Sequence, residues 1–180
     1  MATRKIVEIG DDKLRKHCKA VEKFDLRLKI LLKDMAETMY KNDGAGLAAP
    51  QVGILKRVCV VDVGDRLYEL VNPEIISREG EQEGPEGCLS IPGRAGVVKR
   101  PMKVIVKAQN AKGEPIEITG EGFLARALCH EIDHLDGVLY VDIMEHEIIQ
   151  EDDDDDGDNA PDNQARAEGK AESADGEACL

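Results

Sequence analysis

His130 and His134 lie four residues apart in the stretch ALCHEIDHLDGVLY, with Glu131 between them. Both imidazoles can grip one ion only if this segment is a helix. A helix stacks positions i and i+4 one turn apart on the same face, whereas a strand would spread them ~13 Å. A helix is therefore predicted from near Glu121 to about Asp136, stopped by Gly137. Glu131, one residue from the first histidine, can handle the protons of a bound water. A catalytic metal site takes three protein ligands and keeps one position open. The rest of the chain must supply the third.

Several residues qualify. In one protease pattern, H-E-x-x-H-x-x-G-x-x-H, the third ligand follows at once; here Gly137 fits but Tyr140 stands where that histidine would be. Glu145, His146 and Glu147 follow, close to a strongly acidic tail. Upstream, GPEGCLSIPG places Cys88 in an expected loop, where a thiolate can serve as a ligand, although an isolated cysteine is ordinarily a small buried hydrophobe. A third stretch, GAGLAAPQVG, has Gly44 and Gly46 for close backbone approach, small Ala48 and Ala49, and the amide donor Gln51. By local rules alone it is a helix C-cap followed by a tight loop.

The wider pattern is α+β. Asp25 is an N-cap for a helix with Leu28, Leu32, Met35 and Met39 at helical spacing, ended by Asn42 or Gly44. Residues 57–64 and 66–76 are predicted strands, and 102–120 a hairpin around Asn110-Ala111-Lys112-Gly113. No β-α-β alternation appears, which argues against a parallel sheet. Residues 151–180 hold 12 acidic and 2 basic residues and almost no apolar ones beyond alanine. Such a segment cannot offset its ordering entropy by burial. The expected division is a catalytic domain over 1–148 and a disordered acidic tail over 149–180. Most of the net charge of −13 lies in that tail, so the folded part is near neutral and no sequence-specific nucleic-acid surface is expected. There is no apolar run behind the basic N-terminal residues and none long enough to span a membrane. An odd five cysteines argue against a disulfide framework. A cytoplasmic location is expected.

GAGLAAPQ, EGCLS and HEIDHLDG, in this order, resemble the three signature motifs of the peptide deformylase family. The resemblance spans residues 4–145. It implies antiparallel sheets packed around a central metal-binding H-E-x-x-H helix, with Cys88, His130 and His134 as ligands to one divalent ion. That ion is expected to be Fe2+, with Zn2+, Ni2+ or Co2+ able to substitute. The implied substrate is the N-formyl-methionine at the start of a nascent polypeptide, hydrolysed to formate and a free amine. Glu131 is then the proton carrier. Gln51 and the Leu89 N–H are the oxyanion donors, and the Gly46 carbonyl receives the formamide N–H. Ala45, Phe123 and Ala127 are expected to line the methionine pocket. Arg94, or failing it Arg100, is expected to bind the peptide backbone. A monomer and transient contact with the ribosome are expected, although the acidic tail would repel RNA. Cys129 stands where the family often has glutamine. Two rival readings remain: an endopeptidase with Glu145, His146 or Glu147 as third ligand, and a non-catalytic module with Cys129 as a fourth.

Overall fold

A computed structural model describes residues 3–149. The tail expected from 149 onward lies outside these residues, apart from Ile149. Helix α1 (Leu26–Lys41) begins where the Asp25 carboxylate accepts the Leu28 N–H, and ends at Asn42. The left-handed position beyond its end is taken by Asp43, φ 53°, and not by Gly44.

Two antiparallel sheets follow. Strands β1 (Gly46–Ala48), β2 (Val58–Val61), β3 (Tyr68–Glu79), β6 (Lys103–Gln109) and β7 (Pro115–Glu121) pair in the order β1-β2-β3-β6-β7. Strands β4 (Gln82–Cys88), β5 (Ile91–Arg100) and β8 (His146–Ile148) form the second sheet in that order. The hairpin around Asn110 and Gly113 is β6–β7, its turn closed by the Gly113 N–H on the Asn110 carbonyl, with Gly113 at φ 85°.

Helix α2 (Phe123–Leu135) packs against β1, β2 and β7. β2 is VCVV and wholly buried, because Val58 and Val60 pack toward α1 while Cys59 and Val61 pack toward α2. A strand covered on both faces has no polar side to show, hence its continuous apolar run. β1 alternates in the same way. Leu47 joins the α1 cluster, while Ala48, like Ala45 just before the strand, joins the α2 cluster. The small residues on that side let α2 approach.

The segment around Cys88 is a strand and not the expected loop. Glu86 and Cys88 are buried and Gly84 partly so, and they alternate with exposed Glu83 and Pro85 and half-buried Gly87 over β4. The inward residues include a glycine and a glutamate, so no apolar period marks the strand in the sequence. Pro85 is tolerated because β4 is an edge strand. Likewise GAGLAAPQVG is not a plain loop: it forms β1 and a 3-10 turn over Ala49–Val52, ended by Gly53 at φ 78°.

Candidate metal centre

Residues 127, 130, 131 and 134 share one face of α2, the face turned toward β1 and the end of β4. His130, Glu131 and His134 are all buried there. Cys88, the last residue of β4, meets them from the other sheet. Its Sγ lies 3.2 Å from His134 Nε2. One donor atom from each of Cys88, His130 and His134 falls within 4.8 Å of the other two, the one such group among the described residues.

Gln51 completes the enclosure. Its Oε1 accepts the Ala48 N–H at 2.7 Å, which aims Nε2 at the Cys88 sulfur, 3.4 Å away. The donor set has the chemistry of a divalent-metal site, one soft thiolate and two imidazoles. Further buried atoms there have no hydrogen-bond partner: His130 Nε2, His134 Nδ1 and both oxygens of Glu131. Buried polar atoms are ordinarily satisfied, so unsatisfied His130 Nε2 and Glu131 oxygens beside Cys88 fit residues built to face a bound group, while His134 Nδ1 lies on the far side of a ring that meets Cys88 through Nε2.

Electrostatics separate the roles of two carboxylates. Burial raises Glu131 well above the usual carboxylate range, with Glu86 and Asp133 adding to the effect and Arg100 opposing it. Glu86 is also buried, which alone would raise it. Hydrogen bonds from Arg100 and His130 overcome that and hold it at about 2. Burial keeps His134 well below the usual imidazole value, with His130 and Arg100 contributing, which favours its neutral form.

Glu86 is the residue that reading the sequence missed. It accepts two hydrogen bonds from Arg100, at 2.8 and 3.0 Å, and one from Arg126 at 2.9 Å. Its Oε2 lies 2.9 Å from His130 Nδ1. Arg100 also reaches Asp133 at 2.5 Å, and Arg126 donates to the Val98 carbonyl at 3.0 Å. A carboxylate on the distal nitrogen of a ligating histidine fixes its tautomer and orientation. The signal was its place two residues before Cys88: on a strand, that puts both on one face.

The other expected site residues are distributed as follows. Ala45 and Ala127 are buried in the same cluster beside α2. Phe123 starts α2 and is 42% exposed. Leu89 lies in the turn after Cys88, against the glycine at 44. Arg94 is paired on the surface with Glu147 of β8 at 2.6 Å. Arg100 is buried in its ion pairs, which corrects its reading as an alternative peptide binder: its donors are taken by Glu86 and Asp133. Glu145 pairs with Lys99, His146 is exposed on β8, and none of residues 145–147 joins the metal-capable group. Cys129 packs in the apolar cluster, where burial pushes its thiol to about 11. Tyr140, in place of the downstream histidine, stacks on His130 with ring centres 6.1 Å apart.

The pattern of the Polypeptide deformylase family matches residues 3–148. A peptide deformylase of Acetivibrio thermocellus is 63% identical over 142 residues, 79% of this chain and 84% of that protein. The crystal structure of a peptide deformylase from Legionella pneumophila superposes with a TM-score of 0.78 at 50% identity, over 80% of this chain and 87% of the other. The crystal structure of the Thermotoga maritima peptide deformylase does so with a TM-score of 0.79 at 44% identity, over 81% and 99%.

Proposed function

Because the chain belongs to the polypeptide deformylase family, a hydrolase that removes the N-formyl group from newly synthesised polypeptides, we propose that Cys88, His130 and His134 hold its divalent ion and that Glu131 carries its protons. The observation behind this reading is the convergence of three buried donors within 4.8 Å beside a buried carboxyl. A divalent ion bound there lowers the pKa of water toward neutrality and polarises the formyl oxygen. Fe2+ is the ion we assign, and Zn2+, Ni2+ or Co2+ suit the same donors.

Glu131 takes a proton from the attacking water and returns one to the departing nitrogen. Burial raises its affinity for a proton, which favours that uptake. A C–O bond forms at the formyl carbon and the C–N bond breaks, leaving formate and a free amine. Gln51 and the Leu89 N–H donate to the developing oxyanion, and the Gly46 carbonyl accepts the formamide N–H. Ala45, Ala127 and Phe123 contact the methionine side chain. Arg94 meets the peptide backbone once it exchanges Glu147 for it. The enzyme acts as a cytoplasmic monomer on nascent chains, with only transient contact with the ribosome. No helix among the described residues is long and apolar enough to cross a membrane.

Formate release from formyl-Met-Ala-Ser by anaerobically purified, iron-loaded protein tests this directly. Wild type turns over, Cys88→Ala loses metal, and Glu131→Ala keeps metal but not activity. Full metal retention by Cys88→Ala would place the third ligand elsewhere and sink the assignment.

A further inference from the structure

The described residues carry their cations unevenly. A groove of about 880 Å³ lies between the segment entering α1 and the turn before β2, with His17, Lys19, Lys23, Arg27, Lys56 and Arg57 among its lining. Two distant parts of the chain build it. Lys19 and Lys56 form an isolated bridge, and the Arg57 N–H donates to the Lys19 carbonyl at 2.8 Å. Glu22 and Asp25 also line the groove, Asp25 while capping α1, and Asp136 pairs with Arg57 and His17, so five lysine and arginine side chains face three carboxylates and the groove keeps a formal net charge of +2. Among the described residues no ion pair involves Lys19, Lys23, Arg27 or Lys56. Like charges gathered in one concavity raise the local potential and attract an anion.

The same chain carries a matching anion. Glu151 through Asp156 are six consecutive carboxylates, followed by Asp158 and Asp162. We propose that this acidic segment, Glu151–Asp162, docks in the groove formed by residues 17–27 and 55–57. The argument is charge complementarity with tethering. The acidic run starts two residues after Ile149, and 31 residues follow Ile149. Its far end, Asp162, is 13 residues after Ile149 and reaches ~43 Å when extended, against a radius of gyration of ~15 Å for a folded unit of this size. Upstream of β8, Asp142 is ion-paired with Arg15, two residues before the groove begins. A tether of this kind sets an effective concentration of about millimolar, so pairing too weak to join separate chains is populated within one. Docked, the segment covers the groove against other polyanions.

Carbodiimide cross-linking of the full-length protein, read by mass spectrometry, tests the proposal. The expected result is cross-links from the acidic segment to Lys19, Lys23 and Lys56, in monomeric protein, several-fold above those to Lys107 and Lys112. They fade at ~0.5 M salt, where the Debye length falls to about 4 Å. A second arm replaces Asp152 through Asp156 by Asn and measures binding of a fluorescent single-stranded oligonucleotide at low salt. The neutralised protein should bind several-fold more tightly than wild type, and Lys19→Ser with Lys23→Ser should remove the gain. Cross-links spread evenly over the lysines would overturn the proposal. So would cross-links confined to dimers, which would mean another copy's tail. Equal oligonucleotide binding by wild type and the neutralised protein would overturn it as well, since the acidic run would then not be covering the groove.

Discussion

The backbone of Gly46 lies against the carboxyl of Glu131: a β-carbon at 46 would stand 2.8 Å from Glu131 Cδ and closer still to Oε1. The glycine is required here by space. It is one of the points at which β1 and α2 touch, and what they touch through there is the proposed proton carrier. Gly46→Ala must therefore displace Glu131. A misplacement of ~1 Å in a reacting group can cost about 10²-fold in rate. We expect kcat for formate release to fall on that order while metal content stays near wild type. Unchanged kcat would show that Glu131 does not need this position.

Glu86 holds His130 in place from behind. Glu86→Gln leaves Arg100 and Arg126 buried beside a neutral amide, and breaking a buried pair on one side typically costs about 3–5 kcal/mol. Loss of such a partner usually weakens metal binding by about 10–100-fold. Chelator competition on the purified variant should show that weakening, and urea unfolding the lost stability. Wild-type metal affinity would mean that packing against Tyr140 suffices to orient His130.

Gln51 has two jobs at its two ends. Gln51→Ala removes the amide aimed at the site and the acceptor of the Ala48 N–H. Losing one oxyanion donor costs about 10²–10³ in kcat. The lost backbone contact costs about 1 kcal/mol. Steady-state kinetics should show the loss in kcat, with metal retained. A pure rise in KM would assign Gln51 to ground-state binding.

Metal removal should destabilise the fold, since the site joins α2 to the end of β4. A ligand at 100 times its Kd adds about 2.7 kcal/mol to stability. Calorimetry should find a higher Tm for metal-loaded than for chelator-treated protein, and Cys88→Ala should show little response to metal. An equal response in that variant would argue that the sulfur is no ligand.

Asp25→Ala tests a purely local feature. An N-cap lost to alanine costs about 1 kcal/mol, and about 2–4 °C in Tm for a protein of this size. Activity at 25 °C should not change. A Tm equal to wild type would show that packing alone sets the start of α1.

Much of this was legible locally. Asp25 as cap, the apolar spacing of α1, the turn at Asn110–Gly113 and the stop at Gly137 all depend on residues within one or two turns of each other, and each stands as expected. The histidine spacing required a helix by the same short-range geometry, and α2 is that helix. GPEGC is a strand only because β5 pairs with it, and its inward Glu86 is affordable only because Arg100, Arg126 and His130 arrive from 14 to 44 residues away. The approach of Cys88 to His134 spans 46 residues, and the basic groove joins segments separated by most of α1, β1 and the turn between them. Such contacts leave no period in the chain, because a residue's partner across two sheets is chosen by packing and not by its neighbours in sequence. The short-range chemistry of the chain determined its helices and turns, and the family resemblance carried the expectation that Cys88 joins His130 and His134; only the tertiary structure decided which buried charges meet and brought those three donors within reach of one another.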